Sequence, residues 1–208
     1  MTLTFRHLLL GIFAVANNFP AIGPFLALCS GLSKDEENRL AFIATVSSLI
    51  TMLLAMIAGQ SVLAFFGISI DAFRATGGVV LCLSGGKMLA SNVADEITNA
   101  VITSFEQKIP AAIVPIAIPL TTGAGTIATI TIFSGELKSV GMSFWILLAA
   151  ILVMSAIIYL VFKYSTKLSH FLGKTGMNVL TKITGLFTMA IGIQFIFDAL
   201  ISVFPGLK

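Results

Sequence analysis

Residues 144–161 are apolar on every face that a helix could present. Five other windows are nearly as apolar, at about 8–28, 39–61, 70–90, 111–134 and 180–203. A bilayer core about 30 Å thick is crossed by about 20 residues of helix. Six such spans use up most of the 208 residues and leave no room for a soluble catalytic domain. Composition points the same way. The chain is 57% hydrophobic and only 10% charged, too few charges for a water-facing surface, which carries about 25% in soluble domains. Barrel strands would alternate apolar and polar residues, and these windows do not. Two cysteines exclude a disulfide scaffold. The fold class is an all-α polytopic membrane protein.

Basic residues give an orientation. The loops after spans one, three and five hold eight lysines and arginines: Lys34, Arg39, Lys87, Lys108, Lys163, Lys167, Lys174 and Lys182. The opposite side holds three, Arg6, Lys138 and Lys208. The odd loops therefore face the cytoplasm and both termini face outward. The net charge of +3 is explained by this placement and calls for no nucleic-acid partner. The start resembles a signal peptide, with Arg6-His7 before an apolar run ending Ala14-Val15-Ala16. The internal repeat needs this segment, so it is read as span one.

Ser33-Lys34-Asp35-Glu36 predicts a capping box at a helix start. The longest polar segment, 91–110, divides a first three-span unit (1–90) from a second (111–208). Val93, Ile97, Val101 and Phe105 recur every four residues. That spacing suits a surface amphipathic helix or a plain cytoplasmic connector.

The two units resemble each other. Asp71-Ala72-Phe73-Arg74-Ala75-Thr76-Gly77-Gly78 with Gly85 aligns, 107 residues on, with Asn178-Val179-Leu180-Thr181-Lys182-Ile183-Thr184-Gly185 and Gly192. Spans one and four are both interrupted, by Asn17-Asn18-Phe19-Pro20-Ala21-Ile22-Gly23-Pro24 and by Pro119-Leu120-Thr121-Thr122-Gly123-Ala124-Gly125. Three spans per unit make the second enter from the opposite face. Matched Gly/Pro breaks in such inverted repeats mark transporter substrate sites. Proline removes a backbone donor, and freed backbone groups must face protein or water rather than lipid. A half-helix amino end can hold a carboxylate. The candidate contacts are Asn17, Asn18, Phe19, Pro20, Gly23, Pro119, Thr121, Thr122, Gly123, Gly125 and Thr126. Few fixed charges lie near them, which suits a zwitterion or a neutral polar solute. For a single span, a kink or a packing surface would explain the same residues.

Ionisable groups in spans are the next candidates. Asp71 and Arg74 are placed to pair on one face of span three, or to form an interfacial ion pair. Asp198, with Gln194 one turn deeper, could take a coupling proton or sodium ion, or be a solvated helix end. These four are the coupling or gating candidates. Enzyme motifs fail in context: the G-x-G-x-x-A at 123–128 follows no strand, and Gly173-Lys174-Thr175 lacks the first P-loop glycine, with Leu168 in its place. No metal motif, cofactor or catalytic residue is expected.

The stretch Val114-Pro115-Ile116-Ala117-Ile118-Pro119-Leu120-Thr121-Thr122-Gly123-Ala124-Gly125-Thr126-Ile127-Ala128 resembles a signature of the MarC family of six-span membrane proteins. Phe66-Gly67-Ile68-Ser69 with Arg74-Ala75-Thr76-Gly77-Gly78, and Gly173-Lys174-Thr175-Gly176 with Gly192-Ile193-Gln194-Phe195-Ile196, extend the likeness over nearly the whole chain. The resemblance implies a transporter of small neutral amino acids, glycine or alanine, driven by a proton or sodium gradient across the bacterial or archaeal cytoplasmic membrane. A channel or exporter for another small polar solute is the alternative. Two departures stand out. The family's Asn-Pro or Asp-Pro becomes Asn18-Phe19-Pro20, and its Gly-Pro-Gly becomes Gly123-Ala124-Gly125.

Overall fold

A computed structural model of the chain describes residues 4–16, 19, 21–90, 105–139 and 144–204. Asn17, Asn18, Pro20 and most of the expected connector, 91–104, lie outside them. Among the described residues the regular elements are helical throughout. They are α1 (Phe5–Val15), α2 (Ile22–Leu28), α3 (Lys34–Phe65), α4 (Ile70–Ala90), α5 (Phe105–Ala111), a π-helical run (Ala112–Thr121), α6 (Ala124–Ser139), α7 (Phe144–Lys163) and α8 (Ser165–Val203).

Among the described residues three helices are each long and apolar enough to cross a membrane: Lys34–Phe65, Phe144–Lys163 and Thr175–Val203. The other three expected windows fall short of that description for visible reasons. α4 carries Asp71 and Arg74 near its start and Lys87 in its last turn. The first and fourth windows are each interrupted, so no single α-helix fills them. Many large apolar side chains lie on the outside, including Leu54, Ile57, Leu83, Leu186 and Phe187. Water-soluble monomers rarely expose contiguous apolar area on this scale.

Helix ends follow local chemistry. Ser33 and Glu36 form the expected capping box: the Glu36 N–H donates to Ser33 Oγ, and the Ser33 N–H donates to the Glu36 carboxylate at 2.8 Å. The Ser33 N–H and the Ser33 hydroxyl, both donating to the Glu36 carboxylate at 2.8 Å, hold that carboxyl below its ordinary range. The cap is therefore complete above the ordinary glutamate value of about 4.3 and is lost as pH falls through the lowered one. α3 ends at Gly67, whose φ of 67° is open chiefly to glycine. Gly173, at φ 62°, breaks α8 ahead of its membrane-length part.

The main core is built from α1, α2, α3, the π run, α6 and α7, and is closed at one point by Phe25 stacked on Phe162 at 4.6 Å. Four of the nine residues that α3 buries have buried counterparts in α7. α3 buries Leu40, Ala44, Ser48 and Ala55. Shifted by 107 residues these become Leu147, Ile151, Ser155 and Phe162, all buried in α7.

α4 and α8 approach closely because glycines line their contact. A Cβ on Gly78 would lie 2.5 Å from the Gly192 carbonyl oxygen, and one on Gly192 would lie 2.6 Å from the Gly78 carbonyl oxygen. Gly85 and Gly185 face each other in the same way. The 107-residue shift turns Gly78 into Gly185 and Gly192 into Gly85, so the first contact maps onto the second. Midway, Cys82 Sγ lies 3.7 Å from the carbonyl oxygen of Met189, its own counterpart. The contact thus maps onto itself when the halves are exchanged.

A side chain in this seam must part the backbones. Gly192→Val is expected to cost at least about 2 kcal/mol through overpacking. Gly86, with nothing within 4 Å of its would-be Cβ, is the control: Gly86→Ala should leave stability unchanged or raise it by up to about 1 kcal/mol. Thermal unfolding in detergent checks both.

Candidate functional site

The two helix interruptions face each other. α1 ends at Val15 and α2 begins at Ile22. An α-helix leaves its last four carbonyls without helical partners, and in apolar surroundings each one unsatisfied costs several kcal/mol. Here the second half supplies the partners. Thr126 Oγ1 donates to the Val15 carbonyl at 3.3 Å, and Thr188 Oγ1 lies 2.7 Å from the Ala14 carbonyl oxygen. Both threonines are buried. Thr188 shares its single proton with the Thr184 carbonyl of its own helix, 2.9 Å away.

The other interruption is built differently. Pro115 and Pro119 lack an N–H, and a proline ring collides with the carbonyl four residues back in an α-helix. The chain answers with wider turns, in which bonds span five residues. The Thr122 N–H donates to the Ala117 carbonyl at 2.8 Å, and Thr121 Oγ1 donates to the Ile116 carbonyl at 2.8 Å. Gly123 then accepts the first bond of α6, from the Ile127 N–H at 3.1 Å. The leading amides of α6 therefore lie just beyond Thr122 and Gly123. Thr122 is buried, and its hydroxyl has no hydrogen-bond partner among the described residues.

The remaining expected contacts fall around these ends. Phe19 is half-buried in the first interruption, edge-on to Phe13 at 6.0 Å, and its carbonyl accepts from the Ile22 N–H. Gly23 lies in the first turn of α2. Pro119 lies in the π run. Gly125 packs where a side chain would run into Leu81 of α4. Thr121 and Thr126 have their protons committed to carbonyls, which leaves their lone pairs to accept. Asn17, Asn18 and Pro20 lie outside the described residues.

The ionisable candidates form two separate pairs. Arg74 lies 3.8 Å from Asp71, the expected pairing, and also pairs with Glu136 of α6. Asp71 in turn accepts from the Ser202 hydroxyl at 2.9 Å. One cluster thus ties α4, α6 and α8. Gln194 donates to Asp198 at 2.8 Å on the exposed side of α8. Arg74 lies seven residues from Leu81, about 10 Å along the helix. It is therefore two turns away from the interruptions. Gln60 and Ser134 add links between α3 and α6, donating to the Thr131 carbonyl at 2.7 Å and the Met56 carbonyl at 2.9 Å. No grouping of three or more His, Cys, Asp or Glu suited to a metal occurs among the described residues.

Sequence reasoning missed Thr188, Glu136, Ser202 and Leu81. Two of them are related by the 107-residue offset at which the sequence aligns with itself: Leu81 lies against Gly125, and Thr188 holds the Ala14 carbonyl.

A family model described as MarC family integral membrane protein matches residues 2–204. The chain belongs to the MarC family. Its relatives include a UPF0056 membrane protein of Buchnera aphidicola subsp. Baizongia pistaciae, 32% identical over 191 residues that cover 91% of this chain and 88% of the relative. The UPF0056 membrane protein YhcE of Escherichia coli (strain K12) is 30% identical over 201 residues, covering 95% and 92%. A UPF0056 membrane protein of the archaeon Methanocaldococcus jannaschii is 30% identical over 189 residues, covering 91% and 92%. No solved structure matches the chain. As a MarC family member it is an integral membrane protein, with relatives in bacteria and archaea.

Removing a carbonyl partner tests this account of the MarC interruptions. Thr188→Val keeps the volume but deprives the Ala14 carbonyl of its donor. It should destabilise by about 1–3 kcal/mol, while Thr188→Ser should retain most of the stability. Thermal unfolding of the purified protein reads the difference.

Proposed function

We propose that the protein is a secondary transporter of small neutral amino acids, of the glycine or alanine type, in the cytoplasmic membrane. It has six spans in two inverted three-span repeats, with both termini outside. Spans one and four are the broken ones, and 91–110 is the cytoplasmic connector between units. The observation that carries this reading is the meeting of the two interruptions, with carbonyls of one half held by hydroxyls of the other. Interrupted helices at matching places in two repeats are the usual setting of a transporter's midplane site. The self-mapping glycine contact between α4 and α8, and the four buried positions that α3 and α7 have in common, support the inverted repeat.

The chemistry near the interruptions suits a zwitterion. The amino end of α6 offers N–H groups to a carboxylate, and the buried Thr122 hydroxyl adds a donor. Backbone carbonyls and threonine lone pairs are available to an ammonium. Gly23, Gly123 and Gly125 bring no side chain of their own into the space, and Leu81 fills the place beside Gly125. No catalytic step and no cofactor is involved; a proton or sodium ion is the coupling species.

Alternating access then has each half rock against the other. In this orientation the cluster of Asp71, Arg74, Glu136 and Ser202 stands at the outer end of the bundle. It joins a helix of the first repeat to two of the second, so it latches the outer side. The repeat-related inner positions, Asn178 and Thr181, are neutral.

Flux measurements test the reading. Purified protein in proteoliposomes should take up glycine and alanine saturably, faster with an imposed proton or sodium gradient. Gly123→Leu should abolish uptake while leaving the protein folded. Uptake that never saturates, or unaltered uptake by that variant, would contradict this account.

A further inference from the structure

Leu81 stands at the meeting point of the two interruptions. It is buried and clusters with Val15 at the end of α1, with Ile132 of α6 and with Phe195 of α8. Its isobutyl group occupies the place where a side chain on Gly125 would project from the first turn of α6. The approach is set one turn earlier, where a Cβ on Gly77 would lie 2.8 Å from the Ala128 Cβ. Small residues bring α4 onto α6, and Leu81 then reaches over the helix start. Its repeat counterpart, Thr188, has a polar task at the other interruption, holding the Ala14 carbonyl. Leu81 has no polar group and can contribute only volume.

We propose that Leu81 sets the upper size limit of the solute, by filling the space beside the amino end of α6 into which the solute's side chain points. The inference rests on the transporter reading above. With the carboxylate held at the leading amides of α6, the room left for a side chain is bounded by Leu81 on one side. Truncating Leu81 to alanine removes an isopropyl group, which is the side chain of valine.

The test uses the full-length protein in proteoliposomes and compares initial rates for labelled glycine, alanine and valine. Leu81→Ala should raise the valine-to-glycine ratio at least about tenfold, the discrimination that a few methylenes provide in an apolar pocket. Leu81→Val should raise it less, and serves if the alanine variant does not fold. Leu81→Met conserves volume and should keep the parental ratio. Gly125→Ala should depress alanine uptake more than glycine uptake, and Leu81→Ala in the same chain should restore it. Glycine uptake that persists with an unchanged ratio in both truncated variants overturns the role of Leu81 alone. A parent protein that moves neither glycine nor alanine overturns the transporter reading, and this inference with it.

Discussion

A carbonyl that leaves its helix inside a bilayer has no water to turn to. The arrangement of this protein follows from that constraint. Once α1 stops at Val15, its last carbonyls need donors, and the donors come from α6 and α8. That requirement draws the two halves together at their interruptions. The prolines of the fourth window impose the same demand within their own segment, and five-residue spacing meets it locally. One interruption is thus sealed across the molecule and the other largely within itself. Among the described residues of the two interruptions, the buried side-chain polar atom left without a partner is the Thr122 hydroxyl.

Around this centre the polar groups are graded by position. Neutral hydroxyls and carbonyls lie at the interruptions, and the charged groups lie about two turns away. A fixed carboxylate beside the α6 amino end would itself occupy those amides. Arg74, Asp71 and Glu136 instead join helices where the bundle approaches its end. The partly exposed Arg74 keeps two carboxylates as neighbours, so its own charge is not left isolated.

Much of this was legible in the sequence because its causes are local. The capping box of Ser33 and Glu36 lies within four residues, and both interruptions are written in their own prolines and glycines. The pairing of Asp71 with Arg74 spans one helical turn. What escaped was long-range. Glu136 lies 62 residues from Arg74, and Thr188 lies 174 from Ala14; no local pattern links either pair. The prolines announced an interruption but not that the backbone would widen into π turns. The aligned glycines hinted at a repeat, but their close backbone contact depends on how α4 crosses α8. Thr121, Thr122 and Thr126 look interchangeable in a string. Only the partners of their hydroxyls tell them apart.

The sealing of α1 by later helices bears on how the protein is made. A chain emerging from its amino end presents the open carbonyls of Ala14 and Val15 early. Thr126 follows 111 residues after Val15, and Thr188 comes 174 residues after Ala14. Until then the opening must be tended by water at the insertion machinery or by passing polar groups. The first helix is therefore not finished by its own residues. Its end is completed only when the last helix docks, which ties the finishing of the first helix of this chain to the arrival of its last.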